Sequence, residues 1–91
     1  MYDIMKEIQF GVITFKSTHY AIQADSVFRN EKIQYRTIPT PREISHSCGL
    51  AIKFNLQDLD EIKSIIEKNN LIAEGIFKIS KDNGGSKVQR L

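Results

Sequence analysis

An α+β domain built in two layers, one antiparallel sheet under two helices, is predicted by three observations. Apolar residues alternate with period two in four separate stretches, as strands require. They recur at helical spacing in two others. The six elements follow one another as strand, helix, strand, strand, helix, strand over residues 8–79.

In the first strand, residues 8–16, Ile8, Phe10 and Val12 fall on one face and Ile13 and Phe15 on the other, which suits a central position in a sheet. Ser17 or Thr18 then offers a side-chain oxygen to the free N–H groups of a helix over about 18–30. Tyr20, Ala21, Ala24, Val27 and Phe28 form the apolar stripe of that helix. Ile33, Tyr35 and Thr37 alternate as a half-buried strand that Pro39 and Pro41 end, because proline donates no backbone hydrogen bond. A loop is expected over 40–47, followed by a third strand carrying Leu50, Ile52 and Phe54. Asp58 with Glu61 three residues on reads as a capping box that opens the second helix. Leu59, Ile62, Ile65 and Ile66 are its buried stripe, and Asn69-Asn70 ends it. The last strand covers 72–79, and residues 80–91, poor in apolar side chains, are expected to be a flexible C-terminal tail.

Right-handed crossovers make a ferredoxin-like two-layer sandwich with sheet order 4-1-3-2 the simplest arrangement of these elements. Both helices then cover one sheet face. Residues such as Ile13, Phe15, Phe77 or Ile79, depending on register, occupy the other, leaving apolar area for a partner and predicting a homodimer.

Composition narrows the function. Ninety-one residues, 41% hydrophobic and 26% charged, make one small domain and exclude two. A net charge of +2 is too balanced for a dedicated nucleic-acid binder, so no nucleic-acid partner is expected. No stretch resembles a signal peptide or approaches the roughly 20 apolar residues of a membrane span, so no membrane partner is expected. One cysteine makes no internal disulfide, which points to a reducing, cytoplasmic setting and leaves a lone thiol to explain.

That thiol, Cys48, lies in Pro41-Arg-Glu-Ile-Ser-His-Ser-Cys-Gly-Leu-Ala51. Together with Phe15-Lys-Ser-Thr-His19 and the strand beginning Glu74-Gly75-Ile76, this segment resembles a small bacterial domain family described as selenium or sulfur carrier protein-like. The likeness covers about residues 9–79. It implies a cysteine that holds a persulfide or selenide and passes it between donor and acceptor proteins. It implies no resident cofactor beyond that transient covalent atom, and a carrier or binding protein rather than a turnover enzyme.

Topology alone bears on the same residue. In the expected order the first and third strands are antiparallel neighbours, so Ser17, Thr18 and His19 approach Cys48, and the positive end of the first helix faces the sulfur. Such a terminus favours a thiolate. Arg42 and His46 are the nearest cations in sequence to depress the thiol pKa, Ser47 is its immediate neighbour, and Gly49 allows close approach to the backbone. No second cysteine is present to run a dithiol cycle.

Other readings compete. Counting in twos back from Phe54 through Ile52 and Leu50 reaches Cys48, which suits a merely packed cysteine in a non-catalytic interaction module. The polar neighbours Ser45, His46, Ser47 and Gly49 place it instead at the mouth of the strand. A one-cysteine redox sensor is a third reading. Cys48, His46 and His19 lack zinc-site spacing, so no metal is expected. Serine catalysis has no base and orienting acid, and Gly84-Gly85 precedes no helix that would make a phosphate loop. Charge is uneven: residues 29–53 carry five Lys or Arg against two Glu, residues 56–70 two Lys against four acids, an asymmetry suited to steering an anionic donor or an acidic partner.

Overall fold

The computed structural model describes residues 8–44, 49–82 and 84–91. In chain order they form β1 (Ile8–Thr14), α1 (Thr18–Asn30), β2 (Tyr35–Pro39), β3 (Leu50–Phe54), a 3₁₀ turn (Leu56–Asp58), α2 (Leu59–Lys68), β4 (Gly75–Asp82) and β5 (Gly85–Arg90). The α+β class is as expected: two helices pack on an antiparallel sheet.

The sheet itself corrects the expectation. It has five strands in the order β2-β3-β1-β4-β5, not the four of a ferredoxin-like 4-1-3-2 sheet. The added strand comes from the segment expected to be a tail beyond the domain. Asp82 pairs with Gly85, leaving a two-residue turn, and the Gly84 N–H donates to Asp82 Oδ1 at 2.8 Å. Gly85 takes φ 119°, which a side-chain-bearing residue adopts only with strain. β5 then pairs with β4 through Phe77↔Arg90, and Leu91 N–H reaches the Ile76 carbonyl at 2.8 Å. Backbone hydrogen bonds supply what apolar content does not.

Register decides which side chains meet the helices. Ile13, Phe15, Ile52 and Phe54 join Ala21, Ala24, Phe28, Ile62 and Ile65 in the main core. Gly11 lies opposite Phe54, whose ring covers the glycine where a Cβ would stand. At the lower rim of this core Tyr35 leans on Phe28, ring centroids 5.8 Å apart, and donates its hydroxyl to Asp25 Oδ1 at 2.6 Å. Asp25 also pairs with Arg29 one turn on, at 2.7 Å. Burial raises the Tyr35 pKa above its ordinary 10.0, and the hydrogen bond to Asp25 adds to the rise while Arg29 opposes it.

Helix starts depart from the capping expected. Ser17 occupies the N-cap of α1 with extended backbone but makes no side-chain cap bond. The Asp58–Glu61 capping box is not formed either. Asp58 ends the 3₁₀ turn, its N–H already bound to the Asn55 carbonyl at 2.9 Å, and at φ −97°, ψ 9° it lacks the extended conformation a capping side chain needs. α2 does end at Asn69-Asn70. The Asn69 side chain donates to the Ile65 carbonyl, and Asn70 turns the chain at φ 54°.

The second sheet face is not the open apolar surface expected. Ile13 and Phe15 belong to the helix side. On the other side Val12, Ala51 and Ile79 are buried at 0%, 0% and 1% exposure, closed over by Phe10, Ile38 and Ile44. Ile44 comes from the loop after β2. The chain covers the middle of this face with its own segment, while Ile8 and Val88, on the same face by register, stay exposed, and Phe77 and Ile79 lie there as expected.

Candidate functional site

The cysteine motif begins where β2 ends. Pro39 pairs with Leu50, and just beyond them the Thr40 N–H donates to the Gly49 carbonyl at 3.0 Å, pinching the loop 41–48 at its neck. Gly49 sits at φ 156° with Thr40 Oγ1 the one neighbour a Cβ would meet, at 3.9 Å. Gly49 owes its identity to backbone conformation, then, rather than to crowding.

From this neck the chain makes a turn closed by Ile44 N–H to the Pro41 carbonyl at 3.1 Å. Ile44 drops onto Val12, Ala51 and Ile79. Glu43 accepts a hydrogen bond from Ser86 of β5 at 3.4 Å. Arg42 is exposed. Residues 41–44 thus leave the end of β2 for the sheet face away from the helices, where the described residues include one apolar anchor, Ile44, and one polar contact, Glu43 to Ser86.

Ser17, Thr18 and His19 begin α1 at the same sheet end, because Thr14, the last residue of β1, lies opposite Ala51 near the start of β3. β4 starts there too. Glu74 N–H donates to the Thr14 carbonyl at 2.7 Å, and Thr14 Oγ1 contacts the Gly75 carbonyl at 3.5 Å. Ser17, Thr18 and His19 are exposed, and the His19 ring packs tilted against Tyr20 with centroids 5.8 Å apart. Among the described residues no hydrogen bond or ion pair joins Ser17, Thr18, His19 and Arg42 to one another. The start of α1 belongs to the helix layer, while Glu43 and Ile44 contact the opposite face.

Cys48, with Ser45, His46 and Ser47, lies outside the described residues. What is described is its frame: the Thr40–Gly49 neck, the start of β3 and the exposed first turn of α1. Among the described residues no three His, Cys, Asp or Glu side chains are grouped to hold a metal ion. Among the described residues no helix is long and apolar enough to cross a membrane.

Residues 10–78 match the family described as "Putative Se/S carrier protein-like". The chain belongs to this family. The match contains the loop, its neck, both helices, β2, β3 and all but the first two residues of β1, while β5 lies beyond it. An uncharacterized protein of Methanocaldococcus jannaschii is 34% identical over 61 residues, which make up 67% of this chain and 30% of that protein. The chain therefore spans less than a third of that relative's length. No solved structure matches.

Sequence reasoning missed the role of Ile44. The signal was present in an isolated apolar residue among the polar ones of the loop, a pattern that anchors a loop to a sheet.

Proposed function

We propose that the protein is a sulfur or selenium carrier whose attachment point is Cys48, working between a donor protein and an acceptor protein in a reducing cytoplasm. The observation that supports this reading is the family match, which spans the whole segment Pro41–Ala51 around the cysteine. In the transfer step the Cys48 thiolate attacks the outer sulfur of a donor persulfide. A new S–S bond forms on Cys48, the donor's S–S bond breaks, and the donor cysteine leaves as a thiolate. With a selenopersulfide donor the S–Se bond takes the same part. The acceptor's nucleophile then attacks that outer atom, and Cys48 leaves as thiolate; neither step needs an oxidant.

The frame favours such a step. An exposed helix start lies at the end of the sheet where β3 begins, and a helix N-terminus stabilises a thiolate.

Native alkylation by iodoacetamide from pH 6 to 9 tests the reading. Labelling of Cys48 with an apparent pKa below the ordinary thiol value of about 8.5 supports it. A native rate at or below that of an unfolded control across the range favours the packed cysteine of an interaction module.

A further inference from the structure

Net charge hides how charge is sorted between the two layers. α2 on the helix side carries Asp60, Glu61 and Glu67 against Lys63 and Lys68. On the opposite sheet face, one register row runs Arg36, Lys53, Val12, Phe77 and Arg90 from β2 to β5, and among the described residues the strands contribute no carboxylate to that face, where Glu43 of the loop contacts Ser86. Arg36 and Lys53 are directly opposite each other, an arrangement of like charges that destabilises a sheet unless an anion is shared between them.

Aromatic rings are interleaved with these cations. The Lys53 ammonium lies 4.5 Å from the centroid of Phe10, with that of Lys81 at 5.9 Å. The Arg90 guanidinium lies 5.4 Å from Phe77, and the tip of the Phe77 ring lies over Gly75, packed where a Cβ would stand. Phe10 packs against the Val12, Ala51 and Ile79 cluster, and the Arg90 guanidinium beside Phe77 also donates to the Glu74 carbonyl at 3.3 Å.

We propose that this face binds single-stranded nucleic acid, with Phe10 and Phe77 as stacking platforms and Arg36, Lys53, Lys81 and Arg90 as phosphate contacts. Stacking of a base on a ring is a stronger contact than an exposed cation over it, so an incoming base displaces Lys53 or Arg90, and the displaced cation becomes free to meet a phosphate. The row crosses five strands, about 19 Å at the ordinary strand spacing, the length of a few nucleotides, with Ile44 standing over its middle at the buried Val12. An open cleft flanks Arg36 and Lys53, and at its rim the Asn55 amide donates to Gln34 at 3.2 Å, offering groups suited to base edges. Duplex fits this arrangement poorly, because its bases are stacked on one another and leave no free face for the rings. The inference does not depend on the chemistry of Cys48.

Fluorescence anisotropy with labelled RNA and DNA single strands of about 12 nucleotides tests it, alongside the matching duplex and a polyglutamate peptide. Either single strand is expected to bind more tightly than duplex or peptide, with log K falling against log salt at a slope of about −2 to −3. Lys53→Gln and Arg90→Gln, both at the surface, should each reduce that slope by about 0.7. Phe77→Leu should weaken binding about ten-fold at unchanged slope, with Phe10→Leu as the second variant if the first loses its circular dichroism. Absence of single-strand binding at about 50 mM salt, equal binding of duplex or of polyglutamate, or indifference to loss of both rings would each overturn the proposal.

Discussion

Substituting Gly11 by alanine tests how β1 and β3 are held in register, on which the position of the loop neck depends. A Cβ on Gly11 would lie 2.2 Å from Cζ of Phe54 and within 2.6 Å of both neighbouring ring carbons. Restoring van der Waals contact requires the ring to retreat by about 1.3 Å. Phe54 is 2% exposed and surrounded by the main core, so the displacement passes to its neighbours or to the backbone. Overpacking of this kind costs about 1–3 kcal/mol, and the lower entropy of the unfolded alanine chain returns about 0.4–1 kcal/mol. We expect a net loss of about 1.5 kcal/mol. In a domain of this size that lowers Tm by about 6–12 °C, read by thermal or urea denaturation followed by far-UV circular dichroism. A double-mutant cycle isolates the cause. In a Phe54→Leu background, where the ring is gone, Gly11→Ala should be neutral or stabilising, giving a coupling of about 1 kcal/mol or more. A Gly11→Ala protein as stable as the parent, or additive effects in the cycle, would refute the packing argument.

Three further outcomes follow from the structure. Because burial and the Asp25 bond raise the Tyr35 pKa in the folded state, this group contributes stability that is fully present below the ordinary value of 10.0 and lost as pH rises through the folded value; Tyr35→Phe should flatten urea stability above pH 10 and cost about 1 kcal/mol at pH 7. Ile44→Ala removes the loop's anchor on Val12, Ala51 and Ile79 and should cost about 1–2 kcal/mol while increasing protease cleavage within 41–48; unchanged cleavage would contradict the account of the loop. Gly85→Ala meets no neighbouring atom, so its cost of about 1 kcal/mol, read by urea denaturation, should come from φ alone.

Much of the fold was legible because its signals were local and repeated. The stripe Ala21, Ala24, Phe28 fixed the buried side of α1, and the alternation Leu50 to Phe54 fixed β3. β5 was missed because Gly85–Arg90 offers little to bury, being exposed at every position. Its signal is turn chemistry, Asn83-Gly84 between two alternating segments, a hairpin signature that prevails here over low apolar content. The capping box failed for a different reason. Asp58 and Glu61 have the right spacing, but a 3₁₀ turn leads straight into α2 and claims the backbone geometry the cap requires. At the candidate site, strand pairing was enough to bring the start of α1 and Gly49 to one end of the sheet. The path of the loop across the other face was not legible, since it rests on Ile44 and on a Glu43–Ser86 contact 43 residues apart.

The carrier role is tested most directly by mass spectrometry of the intact protein after incubation with a cysteine desulfurase and free cysteine. The account predicts a gain of one sulfur that is removed by thiol reductant and absent from Cys48→Ser. A folded parent protein that acquires no such adduct while a known acceptor in the same mixture does would contradict it.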